Sequence, residues 1–298
     1  MKLHACGTLT LKGMHMLTVE TIKKNLADLE ERYCSFMLEH FGCWEQWADQ
    51  SAMLLEGRDV PEDDVPEPFR FEYRMTKVVL EMDAAGSWDW KNPKLLKVFE
   101  QAAGNSLYRL MADTITECAL RLCAVAGVET LLEVGAGKGH LTGVMAEKLT
   151  GLDRPIPLIV TDTDPAVLQG IGKTAGAQSG VHIETMQWDI TQDPPQTMVE
   201  KVQTPCLAYE RASILYTSIP AIENIARLAD IVVFGDMFNY TGALYAYDEI
   251  FKKLGAFPLF YREVKPVLEK CFREHFFLDA RAQQEIGFPN TSILIAFK

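Results

Sequence analysis

The residues best suited to chemistry stand in one run, Leu131-Leu132-Glu133-Val134-Gly135-Ala136-Gly137-Lys138-Gly139-His140-Leu141-Thr142. An apolar stretch enters a turn carrying three glycines and leaves it with helical character. Glycine permits positive φ and lets a backbone approach a ligand closely, and the first N–H groups of a helix point outward unpaired. Such a turn holds the charged end of a small cofactor. A second acid lies at a useful distance: Leu158-Ile159-Val160-Thr161 runs into Asp162-Thr163-Asp164-Pro165, with Asp162 lying 23 residues after Gly139. A carboxylate at a second-strand end can accept hydrogen bonds from both hydroxyls of a ribose. Asp164-Pro165 has the form of an N-cap and first helical residue.

Two kinds of segment must position these groups. Before residue 126 the pattern is almost wholly helical. Leu26, Leu29, Tyr33, Phe36, Met37, His40, Phe41, Trp44 and Trp47 recur at helical spacing from Thr18 to about Leu55. The proline- and acid-rich stretch Arg58–Pro68 reads as a loop, and further helices are predicted over Tyr73–Ala84, from Pro93, and over Leu107–Val125 ahead of Gly127. Trp44, Trp47, Trp88 and Trp90 read as core rather than a binding box. After Gly127, β-rich runs at Thr130–Val134, Pro157–Thr161, His182–Trp188, Cys206–Tyr209 and Ile231–Phe234 alternate with helical segments, as βαβ units around a parallel sheet do. Phe276–Ile286 and Ser292–Phe297, around Gly287-Phe288-Pro289-Asn290, read as a closing antiparallel hairpin with a wide loop. The expected division is therefore a helical region over 1–125 and a cofactor-binding domain over 126–298.

Bulk properties narrow the partners. With 29 Lys+Arg against 41 Asp+Glu, the chain carries a formal charge of −12, which repels a phosphate backbone. The seven cysteines are odd in number and contain no Cys-x-x-Cys pair, so they read as reduced, buried thiols. Scattered histidines give no zinc cluster, so no metal is expected. No apolar run is long enough to span a bilayer and no signal-peptide pattern opens the chain, so the expected compartment is the cytoplasm.

Spacing separates the cofactor classes. A dinucleotide site takes G-x-G-x-x-G, whereas the third glycine here comes early, at Gly139, and His140 comes next. Glu133 with G-x-G-x-G resembles motif I of class I S-adenosylmethionine-dependent methyltransferases. That resemblance implies an α/β, Rossmann-like class I methyltransferase fold: a mostly parallel seven-stranded sheet ending in an antiparallel hairpin, with a helical N-terminal cap. It also implies S-adenosylmethionine as cofactor, contacted by Glu133, Gly135, Gly137, Gly139, Asp162 and Thr163. In Gln187-Trp188-Asp189-Ile190 the same resemblance puts Asp189 against the adenine amino group, with Trp188 and Ile190 beside the ring.

The stretch Arg211 to Ser218 is similar to the corresponding part of polyketide-synthase-type methyltransferase domains, as is the Tyr108–Leu122 helix. In those domains a His follows an apolar pair; Tyr216 stands there in this chain. The resemblance implies that proton removal, where the acceptor requires it, involves Tyr216, Asp236 in Phe234-Gly235-Asp236-Met237, and Glu210. A tyrosine of ordinary pKa about 10 is a weaker base than His, which leaves C- and O-methylation both open. The expected function is methyl transfer to a small molecule, as in natural-product tailoring; a homodimer or a carrier-protein-linked substrate is compatible with it, and nucleic acid and membrane are not expected partners. The alternatives are a methyltransferase-fold protein that binds without transferring, and a nicotinamide oxidoreductase.

Several other patterns carry less. The turn also matches ribosomal RNA adenine dimethyltransferases, but their Asn/Asp-x-Pro-Tyr/Phe motif is replaced by Tyr209-Glu210-Arg211-Ala212. Asp193-Pro194-Pro195-Gln196 falls before the fourth strand and reads as a turn, Cys206 begins a strand, and Asp236 with Asn239 is too small a set for Mg²⁺. His140 reads as an exposed helix-start residue. Tyr240, Tyr245 and Tyr247 serve equally as a substrate loop or as helix packing.

Overall fold

The structure, a computed structural model, describes residues 17–86, 89, 92–102, 106–179, 181–211, 213, 214, 217–237, 261–286 and 292–298. The expectations placed on Trp88, Trp90, Tyr216, Asn239, Tyr240, Tyr245 and Tyr247 lie outside these residues.

The helical half begins with α1 (Val19–Phe41), whose N-cap Thr18 accepts from the Thr21 N–H. Ile22, Leu26, Leu29, Tyr33 and Met37 fall on one side of α1 and are buried. The chain continues through α2 (Trp44–Leu55), α3 (Arg70–Ala85) and α4 (Pro93–Ala102) to α5 (Ser106–Ala126). The proline-rich stretch between α2 and α3 is not featureless: it forms two short 3₁₀ turns, Glu62–Asp64 and Glu67–Phe69. Phe69, on the second, stacks on Trp47 of α2 with ring centroids 6.0 Å apart, and both are buried. α1 and α5 are further joined by Arg121, which donates to Asp28 (2.7 Å) and Glu117 (2.6 Å).

The sheet half comprises β1 (Thr130–Val134), α6 (His140–Leu149), β2 (Leu158–Asp162), α7 (Pro165–Ser179), β3 (Ile183–Gln187), α8 (Gln196–Lys201), β4 (Cys206–Arg211), α9 (Ile219–Leu228), β5 (Ile231–Met237), α10 (Tyr261–Cys271), β6 (Glu274–Phe277), α11 (Ala280–Ile286) and β7 (Ser292–Phe297). Seven strands lie in the order β3-β2-β1-β4-β5-β7-β6, parallel except for β7, which runs antiparallel to both neighbours. The closing hairpin is present, but its first strand is shorter than expected. Beyond Phe277 the chain turns into α11, where Ala280-Arg281-Ala282-Gln283-Gln284-Glu285 supplies good helix formers in place of β-branched residues.

Both faces of the sheet are covered, so β1 buries every residue and β2 and β4 bury all but the last, giving nearly continuous apolar runs. Leu131, Leu158, Val160, Leu207, Tyr209 and Val233 face a core shared with α1, α5, α6 and α7. Their sequence neighbours Leu132, Ile159, Ala208, Val232 and Phe234 face a second core under α9 and α10. α5 lies on β4 and β5 at very short range: a Cβ on Gly235 would sit 2.3 Å from Ile115 Cδ1. The helix that closes the N-terminal half is thus itself a layer of the sheet domain. Strand order reverses between β1 and β4, which opens a crevice at their carboxyl ends where open α/β sheets bind ligands.

Among the described residues, no helix is long and apolar enough to cross a membrane. Trp47→Ala removes the buried ring that seats the Glu67–Phe69 turn on α2, and a loss of about 3–5 kcal/mol is expected in urea unfolding.

Candidate functional site

The glycine turn leaves β1 at the mouth of the crevice. Gly135, Gly137 and Gly139 all take positive φ (66°, 52° and 76°), but for different reasons. A Cβ on Gly135 would fall 2.2 Å from Ser213 Oγ, and one on Gly139 would meet Ile171 at 2.9 Å, so both positions are closed by protein. A Cβ on Gly137 meets nothing within 4 Å. Gly137 is therefore the glycine that borders open space, with its backbone exposed there.

Glu133 lies under the turn, fully buried. Thr142 Oγ1 donates to Oε1 at 2.8 Å and Tyr209 OH donates to Oε2 at 2.9 Å, so one carboxyl joins β1, α6 and β4. Burial raises its pKa to about 7, against the lowering by these two donors; the Tyr209 hydroxyl is pushed well above 10 by burial and by Glu133, and stays a donor. With no exposed surface, Glu133 offers no oxygen to the crevice and braces the turn from beneath.

Asp162, at the end of β2, links the same turn to the start of α7. Oδ2 accepts from the Gly137 N–H at 2.8 Å, and Oδ1 from the Asp164 N–H at 2.9 Å. A carboxylate has about four lone-pair sites, so each oxygen keeps capacity for a hydroxyl. Thr163 is exposed beside it, and its carbonyl accepts from Gln187 Nε2. After β3, Asp189 is exposed; its Oδ1 accepts from Thr191 N–H and Oγ1, while Oδ2 has no hydrogen-bond partner among the described residues. Trp188 and Ile190 are buried in the core under α9, and Trp188 Nε1 donates to the Gln192 carbonyl. Asp162, Asp189 and the turn thus stand at the ends of three adjacent strands.

The opposite wall runs along β4. Glu210 is buried, and its Oε2 accepts from the N–H groups of Ser213 (2.7 Å) and Ile214 (3.1 Å). Ser213 Oγ lies 3.1 Å from the carbonyls of both Val134 and Gly135. The Arg211 guanidinium stacks 3.1 Å over the Tyr108 ring of α5. Tyr216 lies outside the described residues, and Asp236 is placed as the sixth residue of β5 without a described side chain. Ser213 and Tyr108 lie in stretches that the sequence singles out, and Tyr209 in the fourth strand, but the sequence assigns none of the three a role of its own. Pairing of Glu133 with Tyr209 follows from the β1–β4 register, and strand order is what reveals it.

A cleft of about 580 Å³ lies between α5 and α6, with Tyr108, Ala112, His140 and Val144 among its walls. His140 is held below its ordinary pKa, first by burial and then by the nearby Arg211 and Lys138 charges. Cys206 is buried in β4 and burial pushes its thiol up, while Pro195 caps α8, ahead of β4. No three His, Cys, Asp or Glu side chains among the described residues are grouped to hold a metal ion.

No protein-family model matches the chain, and no curated protein does. Solved structures do. The citrinin polyketide synthase CMeT domain shares 14% identity over 93% of this chain and 94% of its own, with a TM-score of 0.57. The DszA carbon methyltransferase shares 16% over 94% and 69%, at 0.55. The trans-methyltransferase CalH, in complex with SAH, shares 13% over 95% and 93%, at 0.51. The fold is therefore the Rossmann-like class I methyltransferase fold, including the helical region ahead of the glycine turn.

Glu133 gives a pH test. A carboxyl whose folded pKa is raised contributes a penalty that is absent below the unfolded value and complete above the folded one. Between pH 5 and 8, stability of the wild type is expected to fall relative to Glu133→Gln by about 2–3 kcal/mol, measured by denaturant unfolding at both pH values.

Proposed function

We propose that this protein is an S-adenosylmethionine-dependent methyltransferase acting on a small molecule. The observation that carries the reading is Gly137: it has positive φ, faces open space, and its N–H is held by the acid at the end of β2. Three structures of the same fold are methyltransferases by their descriptions, and one of them was solved with SAH.

The residues present fit such a cofactor. Gly137 and its neighbours would receive the amino-acid end, Asp162 with Thr163 the ribose hydroxyls, and Asp189 the adenine amino group through its unpartnered oxygen. When bound, the cofactor supplies a methyl group on a positively charged sulfur. The chain's own contribution is mainly orientation, since transfer is an in-line displacement and alignment supplies much of the rate. Glu133, Thr142 and Tyr209 keep the turn in place. The helical layer, with Tyr108 and Arg211 at its contact with β4, closes one side of the crevice and limits water there.

We place proton removal, for an acceptor that needs it, with Tyr216 and Asp236. Glu210 accepts two backbone N–H groups on Oε2 and so holds Ser213 and Ile214 just after β4. The acceptor is a natural-product-like small molecule, free or borne on a carrier protein, methylated on carbon or oxygen, and the setting is cytoplasmic. The acidic charge of −12 supports a partner other than nucleic acid. Tyr216 in the place of a His favours one rival, a protein of this fold that binds the cofactor without transferring. Turnover on a panel of phenol, enol and carboxylate acceptors separates the two, with product expected here and none from the rival.

Calorimetric titration with S-adenosylmethionine tests the cofactor site directly. Gly137→Arg fills the open space and Asp162→Ala removes two charge-assisted acceptors. Each is expected to weaken binding about 10- to 100-fold or more in a protein that remains folded. Unchanged affinity in either folded variant, or binding of NAD instead, overturns the reading.

A further inference from the structure

Four contacts converge on the segment just after the fourth strand. Glu210, buried in β4, receives the N–H groups of Ser213 and Ile214 on a single oxygen. The Ser213 hydroxyl reaches back to the carbonyls of Val134 and Gly135, at the entrance to the glycine turn. It occupies the space that a Cβ on Gly135 would need, at 2.2 Å for Oγ and 2.7 Å for its own Cβ. Ile214, one residue on, is buried in the core under α9, and its carbonyl accepts from both the N–H and the hydroxyl of Thr217. The segment is therefore referenced to the turn by a side chain, not only by the β1–β4 ladder beneath.

This arrangement assigns a distinct role to Gly135. Its missing side chain admits Ser213, whereas the missing side chain of Gly137 leaves space for a ligand. We infer that Ser213 is a positioning residue that couples the cofactor turn to the segment after β4, so that filling the turn stiffens Ser213, Ile214 and Thr217. The inference rests on the methyltransferase reading for the identity of the ligand, but the mechanical link is independent of it. The single hydroxyl proton is shared among the carbonyls of Val134 and Gly135 at 3.1 Å and that of Arg211 at 3.4 Å, so it can follow small shifts of the turn while keeping a bond to it. Ser213 reaches the main chain at Val134 and Gly135, ahead of the open position at Gly137.

Amide hydrogen exchange read residue by residue tests the link. In the unliganded protein, Ser213→Ala is expected to speed exchange at position 213 itself, Ile214 and Thr217 at least about tenfold, while Ser213→Thr, which keeps the hydroxyl, stays within about threefold of wild type. The melting temperature of the Ala variant should stay within about 2 °C of wild type, which separates local loosening from general destabilisation. Saturating S-adenosylhomocysteine should slow exchange of these amides in wild type. The Ala variant should bind it with affinity within about threefold of wild type and show little of that slowing. Wild-type exchange in the unliganded Ala variant, or equal slowing by the ligand in both proteins, overturns the inference. Absence of S-adenosylhomocysteine binding to wild type defeats the methyltransferase reading, while the unliganded comparison still decides the link.

Discussion

The site depends on a carboxyl group buried where ionisation is costly. Glu133 sits at the centre of three elements, and its two donors come from α6 and β4, so neither element can move without leaving an oxygen unsatisfied. Leaving a buried polar group unpaired costs about 1–3 kcal/mol, and more where charge is involved. That cost is what makes a sharp, glycine-rich turn into a fixed object. The turn then has one open position, Gly137, whose N–H is held from the other side by Asp162. Positioning is thus layered: a buried acid braces the turn from below, and a partly exposed acid braces it from the adjacent strand.

Much of this is legible in the sequence because it is local. The glycine spacing, the acid ending β1, the acid ending β2 and the alternation of strands with helices all declare themselves within short windows, and five parallel strands lie where the β-rich runs predict. The stretch after Phe277 departs from expectation because one apolar pair, Phe276-Phe277, gives a strand signal that Ala280–Ile286 does not continue. What the sequence hides is nonlocal. Tyr209 gains its meaning only beside Glu133, and Ser213 only beside Gly135, and both pairings need the knowledge that β4 lies next to β1. Trp188 shows the converse: an aromatic at a strand end is visible in the sequence, but the side to which it turns is decided by packing under α9.

The helical half is bound to the site by more than proximity. α5 ends at Gly127, whose φ of 64° stops the helix just before β1, and its other end presents Tyr108 to Arg211. Between these points it packs against the sheet so closely that Gly235 admits no side chain. α1 in turn is joined to α5 through Arg121 and a row of buried apolar residues. A shift of α1 therefore bears on α5, and also on α11, where Arg281 donates to Glu31.

Tyr209 and Glu210 are neighbours in β4, and the pleat sends them to opposite faces. One meets the acid of β1 on the side of α5, and the other caps the loop that returns to Gly135. Inserting or deleting a single residue in this strand would exchange the two faces and dismantle both halves of the site together. Strand β4 is therefore the part of the chain whose length is least free to change over evolutionary time. Variation in length is expected to collect in connections such as 150–157, where no contact of the site is made.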